Sequence, residues 1–347
     1  MMLEAVHKLL ERKDLTLEEA QSAMAEIFSG TVSPVLIAAF LTALRMKGET
    51  VDEIAGAARA MRGASNRVYS SSPVVVDTCG TGGDRKGSFN ISTAAALVVA
   101  GAGFTVAKHG NRSVSSLCGS ADVLEALGVK IDPPIAVAER CLKEAGIAFL
   151  FAPLYHPAMK HAMPVRKELG ARTIFNVLGP LCNPACAHVQ AIGVFSDPML
   201  DTMARVLVRL GARHSVILHG NGHDEITLQG TSRLAEIVNG KVTKRVVSAK
   251  DFGLKPSLES ALKGGTREDN ALIIRAVLGG KKGPRRDVVV ANAAVALLSA
   301  SRAAGRKEVT DLKSAARAAE VAIDSGAARE KLEKLAALSQ AGLRPSL

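Results

Sequence analysis

The 347-residue chain has no tryptophan, two tyrosines and nine phenylalanines, so aromatic residues make up only 3% of it. A platform of stacked rings for nucleobases or single strands is disfavoured, and the core must be built from Ala, Val, Leu and Ile. The five cysteines, at 79, 118, 141, 182 and 186, form no CxxC pair. That spacing points away from a structural zinc site and a disulfide framework, towards reduced, packed thiols. The opening stretch MMLEAVHKLLERKD mixes charges into a helical pattern and lacks the apolar centre of a signal peptide. No later stretch reads as long and apolar enough to span a bilayer, so a cytoplasmic chain without a membrane partner is expected. Internal repeats and low-complexity segments are also missing.

Hydrophobic residues make up 48% of the 36.2 kDa chain, enough to bury a large core in one domain or two unequal ones. Lys and Arg outnumber Asp and Glu by 44 to 33, a net charge of +11. A basic surface attracts polyanions, and a non-catalytic nucleic-acid binder is the rival reading from another class. The charges are dispersed, however. Clusters such as Lys281-Lys282 with Arg285-Arg286 extend into no basic tail, zinc finger or aromatic RNA-binding motif, so no nucleic-acid partner is expected.

The chain is organised around residues 74–129. Val74 to Val76 reads as a buried strand running through Asp77 into a loop with Gly80, Gly82, Gly83 and Gly87. Glycines reach φ > 0 and let the backbone approach a ligand, so several N–H groups can converge on phosphate oxygens. From Ser92 an Ala-rich helical pattern adds the positive end of its dipole. A second strand, Phe104 to Ala107, leads into Lys108-His109-Gly110-Asn111-Arg112-Ser113-Val114-Ser115-Ser116, and a helix from Ser120 to Leu127 closes at Gly128. The loops therefore lie at the carboxyl ends of consecutive strands, where open α/β sheets bind ligands. Known phosphate motifs fail by spacing. After Gly82 and Gly87 a P-loop needs Lys, but Ser88 stands there, and a dinucleotide fingerprint from Gly80 needs glycine where Arg85 stands. Asp84, acidic within this loop, suits a ribose or a bound metal.

Residues 1 to about 67 read as short helices with starts at Thr16/Glu19, Ser33-Pro34 and Thr50/Glu53. Ile37, Phe40, Leu41 and Leu44 recur at helical spacing, as a core or as a stripe against a second copy. Ser70-Ser71-Ser72-Pro73 is a polar break. Helices are expected at 135–145 and 158–169, strands at 148–151, 189–194 and 215–219, and a helix at 198–210. Gly179-Pro180 and Asn183-Pro184 read as a linker, and Asn239-Gly240 as a hairpin turn. The tail reads as helices at 269–278 and 287–304, then an amphipathic stretch.

Asp224 and Glu225, in a glycine-rich turn after the strand ending at His219, are either surface carboxylates or ligands for Mg²⁺, which takes one or two carboxylates plus substrate phosphate oxygens. The planar fork of Arg166 matches a carboxylate, although lone arginines are usually surface groups. His161, His188 and His214 read as ordinary polar residues.

GTGGD, FNIST, KHGNRSVSS and GSADVLEALG, followed in order by HPAMK, RTIFNVLGPLCNP, GHDEIT and GPRRDVVVANAA, give the chain its resemblance to the anthranilate phosphoribosyltransferases. These enzymes join anthranilate to phosphoribosyl pyrophosphate. The resemblance spans nearly the whole chain. It implies an α/β protein in which a small all-helical N-terminal domain, residues 1–70 joined by about 157–182, accompanies a larger domain, 71–156 and 183–347, with a mostly parallel sheet flanked by helices. It implies that Gly80, Gly83, Asp84, Ser88, Asn90, Ile91, Ser92, Thr93, Lys108 through Ser116 and Ser120 surround phosphoribosyl pyrophosphate. Anthranilate would meet Gly80, His109, Asn111, His156, Arg166 and Gly179. Lys108, Asp224 and Glu225 would act in catalysis. Two Mg²⁺ ions are implied, one taking Ser92, with Glu225 bridging and Asp224 at the second. A homodimer through the helical domain is implied too. Pyrimidine nucleoside phosphorylases are the nearest alternative, but they resemble a Lys-Met-Ser-Gly-Arg pattern where this chain has Lys108-His109-Gly110-Asn111-Arg112.

Overall fold

A computed structural model describes residues 1–84, 86–113 and 117–341; the expected site residues Val114, Ser115 and Ser116 lie outside the described residues. Four helices open the chain: α1 (Met2–Leu10), α2 (Leu17–Ser29), α3 (Pro34–Lys47) and α4 (Val51–Gly63). Their starts are set locally. Thr16 and Thr50 each accept from the backbone N–H three residues on, while Glu19 and Glu53 accept from the cap's own N–H, and Ser33 caps α3 ahead of Pro34. Glu53 does more than cap. Fully buried, it also accepts from Leu15 N at 2.9 Å and Lys47 Nζ at 3.0 Å, tying α4 to α3 and to the loop before α2.

The α/β part begins with β1 (Val75–Gly80), α5 (Ile91–Gly101), β2 (Thr105–Gly110), α6 (Ser120–Ala126), α7 (Ile135–Glu144) and β3 (Ile147–Phe151). Then come α8 (Ala152–Tyr155), a 3-10 turn (Pro157–His161), α9 (Met163–Leu169) and α10 (Phe175–Leu181). The sheet resumes with β4 (Val189–Gly193), α11 (Pro198–Arg209), β5 (His214–His219), β6 (Thr231–Val238) and β7 (Lys241–Ser248). The remaining helices are α12 (Arg267–Leu278), α13 (Pro284–Ala304), α14 (Leu312–Asp324) and α15 (Ala327–Gln340).

The seven-stranded sheet runs β3-β2-β1-β4-β5-β6-β7. β3, β2, β1, β4 and β5 are parallel, and β6 and β7 add an antiparallel hairpin whose turn holds Asn239 and Gly240 at φ of 51° and 76°. The chain leaves β1 towards β2 and β3, then returns to pair β4 on the other side. β1 and β4 therefore flank the topological switch point, and the crevice beyond their carboxyl ends is where such sheets take ligands.

Two cores lie on opposite faces of the sheet. Val216 and Leu218 of β5 join the core with α5, α13 and α14, whereas the intervening Ile217 joins α1–α4, α9, α10 and α11. This alternation is the two-residue period of a strand buried on both sides.

Three expectations are corrected. The single helix expected at 158–169 is divided into a 3-10 turn and α9, which starts afresh with Pro164 in its first turn, where the missing N–H costs no intrahelical bond. Gly179-Pro180 lies within α10 and is no linker: the Gly179 carbonyl faces His109 Nδ1 at 3.1 Å, and the Pro180 carbonyl accepts from Gln190 Nε2 at 2.6 Å. Tertiary hydrogen bonds overrule the local Gly-Pro signal. By length and mean hydropathy α13 is also apolar enough to cross a membrane, contrary to the expectation that no stretch is. Here it is the central helix of the core, buried along most of its length.

Candidate active site

Parallel register brings the strand tips level: Gly80 of β1 pairs with Gly193 of β4, and Gly193 with Leu218 of β5. The acidic turn after β5 folds back over this edge. Asp224 Oδ2 accepts from Gly82 N at 2.9 Å, and Glu225 Oε1 accepts from Ser92 N, in the first turn of α5, at 3.0 Å. Close approach depends on glycine. A Cβ at Gly80 would overlap Asp224 Oδ2, and one at Gly193 would overlap the Asp224 carbonyl oxygen. Gly82, Gly83 and Gly87 have φ of 65°, 78° and 69°, as the sequence reading required of the loop.

Three carboxylates crowd here. Burial first, and then Asp84, push the Asp224 carboxyl up to about 7. Burial and then Asp224 raise Glu225 well above its ordinary range. Asp84 Oδ1 accepts from Lys86 N at 3.1 Å, while its Oδ2 is buried 3.8 Å from His223 Nδ1 with no hydrogen-bond partner among the described residues. Like charges held together in a buried cleft favour either protonation or a cation.

Lys108, near the end of β2, is 3% exposed and donates to Thr78 O at 2.6 Å, with Ser92 Oγ at 3.4 Å. Burial lowers its pKa, and neighbouring Asp77 opposes that shift. Asp77 is fully buried; its carboxylate accepts from His109 N at 3.2 Å and Asn183 Nδ2 at 2.8 Å. Asn183 also donates to Ala107 O at 2.7 Å, so the segment returning from α10 is tied to β1 and β2.

The expected phosphate-side residues mostly converge. Ile91 is buried at the start of α5, and buried Thr93 keeps a hydroxyl without a partner. Asn90 donates to Cys118 O at 3.1 Å and accepts from Asn270 Nδ2 of α12 at 3.0 Å. Ser88 bridges Lys263 in a strap that covers the loop, where Phe89 N donates to Leu262 O and Gly264 N to Gly87 O. Glu259 of the strap lies 3.0 Å from Lys86 Nζ and 2.9 Å from His223 Nε2. Gly83 O accepts from Arg172 at 2.8 Å, and the Arg172 guanidinium stacks 4.0 Å from the Phe195 ring centroid. Asn111 Oδ1 accepts from Arg112 N, and Ser120 Oγ donates to Asn111 O; a Cβ at Gly110 would overlap Ser120 Oγ and crowd Phe149. Arg112 is engaged by the following helix. Its guanidinium is committed to Asp122 at 2.8 Å and bidentately to Glu125 at 2.6 and 2.8 Å; Asp122 also accepts from Ser113 N.

On the helical side, the His109 and His156 rings meet edge to face at 5.1 Å, beside Gly179. Burial pushes them down to about 3 and about 4, so both are neutral at pH 7. A Cβ added at Gly179 would meet no neighbour within 4 Å. Among the described residues no hydrogen bond or ion pair joins Arg166 to the strand tips; its guanidinium lies 5.0 Å from the Phe175 ring centroid and donates to Met163 Sδ at 3.8 Å. Sequence reading missed Asp77, Asn183, Gly193 and the strap. A lone glycine ending the VQAIG strand was the one available signal, because glycine in a strand often marks close backbone approach.

An α/β sheet with a glycine loop and an acidic turn at its switch point, joined to a helical bundle, defines a glycosyl transferase class. Residues 72–329 match the glycosyl transferase family, a/b domain, and residues 3–65 match its helical bundle domain. A curated relative, the anthranilate phosphoribosyltransferase of Desulfosudis oleivorans, is 52% identical over 96% of this chain and 98% of its own. The crystal structure of the Thermus thermophilus anthranilate phosphoribosyltransferase superposes with a TM-score of 0.91 at 44% identity, covering 97% of this chain and 99% of that one. The Saccharomyces cerevisiae enzyme in complex with phosphoribosyl pyrophosphate and Mg superposes at 0.87 with 28% identity, covering 97% of each chain. The chain belongs to the anthranilate phosphoribosyltransferase family.

Proposed function

We propose that this protein transfers the 5-phosphoribosyl group from phosphoribosyl pyrophosphate to the amine of anthranilate, giving N-(5-phosphoribosyl)anthranilate and pyrophosphate, a step of tryptophan synthesis. The observation that carries this reading is the meeting of the glycine loop and the acidic turn at the switch point, through Gly82 N and Asp224 Oδ2.

The donor set fits Mg²⁺: two buried carboxylates with raised pKa values, Asp224 and Glu225, with Asp84 beside them and one of its oxygens buried without a hydrogen-bond partner among the described residues, and a serine hydroxyl close by. Asp224 near Asp84, and Glu225 near Ser92, offer places for two ions. Held by these residues, a divalent cation would neutralise charge on the pyrophosphate. The reaction is a displacement at the ribose C1 carbon: a bond to the amine nitrogen forms as the bond to the pyrophosphate oxygen breaks. Lys108 and the loop N–H groups stabilise charge on the departing oxygen more than in the ground state. His109, His156 and Gly179 line the anthranilate side, with Arg166 and Asn111 taking its carboxylate. Residues 1–70 with 157–182 form the helical body and the remainder the α/β body, so amine and sugar are aligned across their junction.

Exposed Leu3 and Leu10 on α1, with Val35 and Met46 on α3, suit burial in a homodimer through the helical domain. Five free cysteines fit a reducing cytoplasm. The test follows loss of anthranilate fluorescence with phosphoribosyl pyrophosphate and Mg²⁺. Consumption is expected from this chain, and almost none from Asp224→Asn with Glu225→Gln; phosphorolysis of a pyrimidine nucleoside instead would favour the phosphorylase alternative.

A further inference from the structure

Ile226 directly follows the two acidic residues, and both of its main-chain polar groups end on one side chain. Its N–H donates to Asn292 Oδ1 at 2.8 Å, and its carbonyl accepts from Asn292 Nδ2 at 3.1 Å. An amide side chain thus supplies the pairing that a neighbouring strand would give. Asn292 Nδ2 also donates to Val288 O, one turn back in α13, at 2.9 Å, which holds the side chain in one rotamer. Asn292 is 4% exposed, and α13 is buried continuously from Val288 to Ser301.

The acidic turn carries no regular structure, and its carboxylates repel each other and Asp84. Unrestrained, the turn would relieve that repulsion by swinging towards water. Holding Ile226 to the rigid core helix keeps Glu225 at Ser92 N and Asp224 at Gly82 N. A neutral amide does this without adding charge or competing for a cation. From the other side, His219 brackets the turn: Nδ1 lies 2.7 Å from Val194 O and Nε2 accepts from Gly222 N at 3.3 Å.

We infer that Asn292 is a positioning residue that sets the affinity of the Asp224–Glu225 turn for its divalent cation. The inference rests on the proposed reading of that pair as metal ligands, and the two can fail separately. The experiment is calorimetric titration with phosphoribosyl pyrophosphate at a series of Mg²⁺ concentrations, alongside steady-state kinetics at varied Mg²⁺. The variants are Asn292→Ala, Asn292→Asp, which keeps the acceptor for Ile226 N–H but loses both donor bonds, and Ser301→Ala, equally deep in the same helix. The two Asn292 variants are expected to need about tenfold or more Mg²⁺ for half-saturation, with kcat largely recovered at high Mg²⁺, as for other residues that orient metal ligands. Ser301→Ala is expected to leave the Mg²⁺ requirement unchanged, and Asn292→Ala to add no further loss to Asp224→Asn with Glu225→Gln. Wild-type Mg²⁺ dependence in a folded Asn292 variant, an equal loss in Ser301→Ala, or an additive loss in the carboxylate-pair background overturns the inference alone. Unchanged Mg²⁺ dependence in the carboxylate-pair variant overturns the metal-ligand reading, and the inference with it.

Discussion

A side-chain carbon at Gly193 would occupy the position of the Asp224 backbone carbonyl oxygen. The end of β4 and the acidic turn therefore share space that only glycine leaves open, and that contact sets how far Asp224 reaches over the β1 loop. Gly193→Ala must push the turn away through its backbone, which no rotamer change can absorb. The variant is expected to fold, since β4 already carries Ala191, yet to lose activity by about 10²-fold or more, the scale expected when a reacting group moves by an ångström. Anthranilate consumption measured beside the far-ultraviolet circular dichroism checks it; a folded variant with unchanged kcat/KM defeats it.

What could be read in the sequence was local. The capping residues Thr16, Ser33 and Thr50 act within three positions, and the glycines at 82, 83 and 87 announce a loop by their density. Asp224 and Glu225 stand out because they are adjacent carboxylates at a strand's carboxyl end in a chain that also carries a phosphate-type glycine loop. The contacts that place them were not legible: Gly82 and Asp224 are 142 positions apart, and Ile226 and Asn292 are 66 apart. Asp77 looked like a strand end, although its partner Asn183 arrives from 106 positions away. Arg112 shows the same limit in reverse. Its motif is plain, but its Asp122 and Glu125 partners emerge only once α6 is folded beside it.

The metal-free protein is expected to be less stable at alkaline pH because of Asp224. Burial, then Asp84, raise its carboxyl from 3.8 to about 7. A carboxyl raised on folding adds stability that is fully present below its unfolded pKa and is lost as pH rises through the folded value. Asp224→Asn removes that dependence. Without Mg²⁺ at pH 8, the variant is expected to melt about 2 °C or more above the parent, and the gap to close as pH falls from about 7 towards 4. A gap that widens on acidification contradicts the assignment.

Arg166 makes no ion pair among the described residues and lies against Phe175. If its guanidinium receives the anthranilate carboxylate, Arg166→Ala removes binding of one substrate and leaves the phosphate side intact. The KM for anthranilate is then expected to rise about tenfold or more, the scale of a charge-assisted bidentate pair, with that for phosphoribosyl pyrophosphate little changed. Arg166→Lys is expected to recover only part of the loss, since an ammonium cannot reproduce the fork. Equal rises in both KM values would place Arg166 at the junction of the two bodies and away from the substrate.

Asp77 is expected to govern the charge on Lys108. Burial lowers the lysine pKa, and the carboxylate of Asp77 is the largest influence opposing it, ahead of Cys79 and Glu225. Asp77→Asn is nearly isosteric, and its amide oxygen still accepts from His109 N although the bond from Asn183 Nδ2 is lost, so Lys108 loses its counter-charge with the backbone tie of the strand tip retained. Because an adjacent opposite charge favours the ionised lysine, its removal moves the alkaline limb of the kcat profile down by at least about one pH unit. Asp77 is itself raised to about 6, so the parent carries that charge above neutrality, where the limb is read. A pH–rate series from 7 to about 10 on the parent, Asp77→Asn and Lys108→Arg separates the causes. The arginine variant stays charged throughout and is expected to show no alkaline limb from this group. An alkaline limb at the same pH in Asp77→Asn as in the parent would mean that another group sets it.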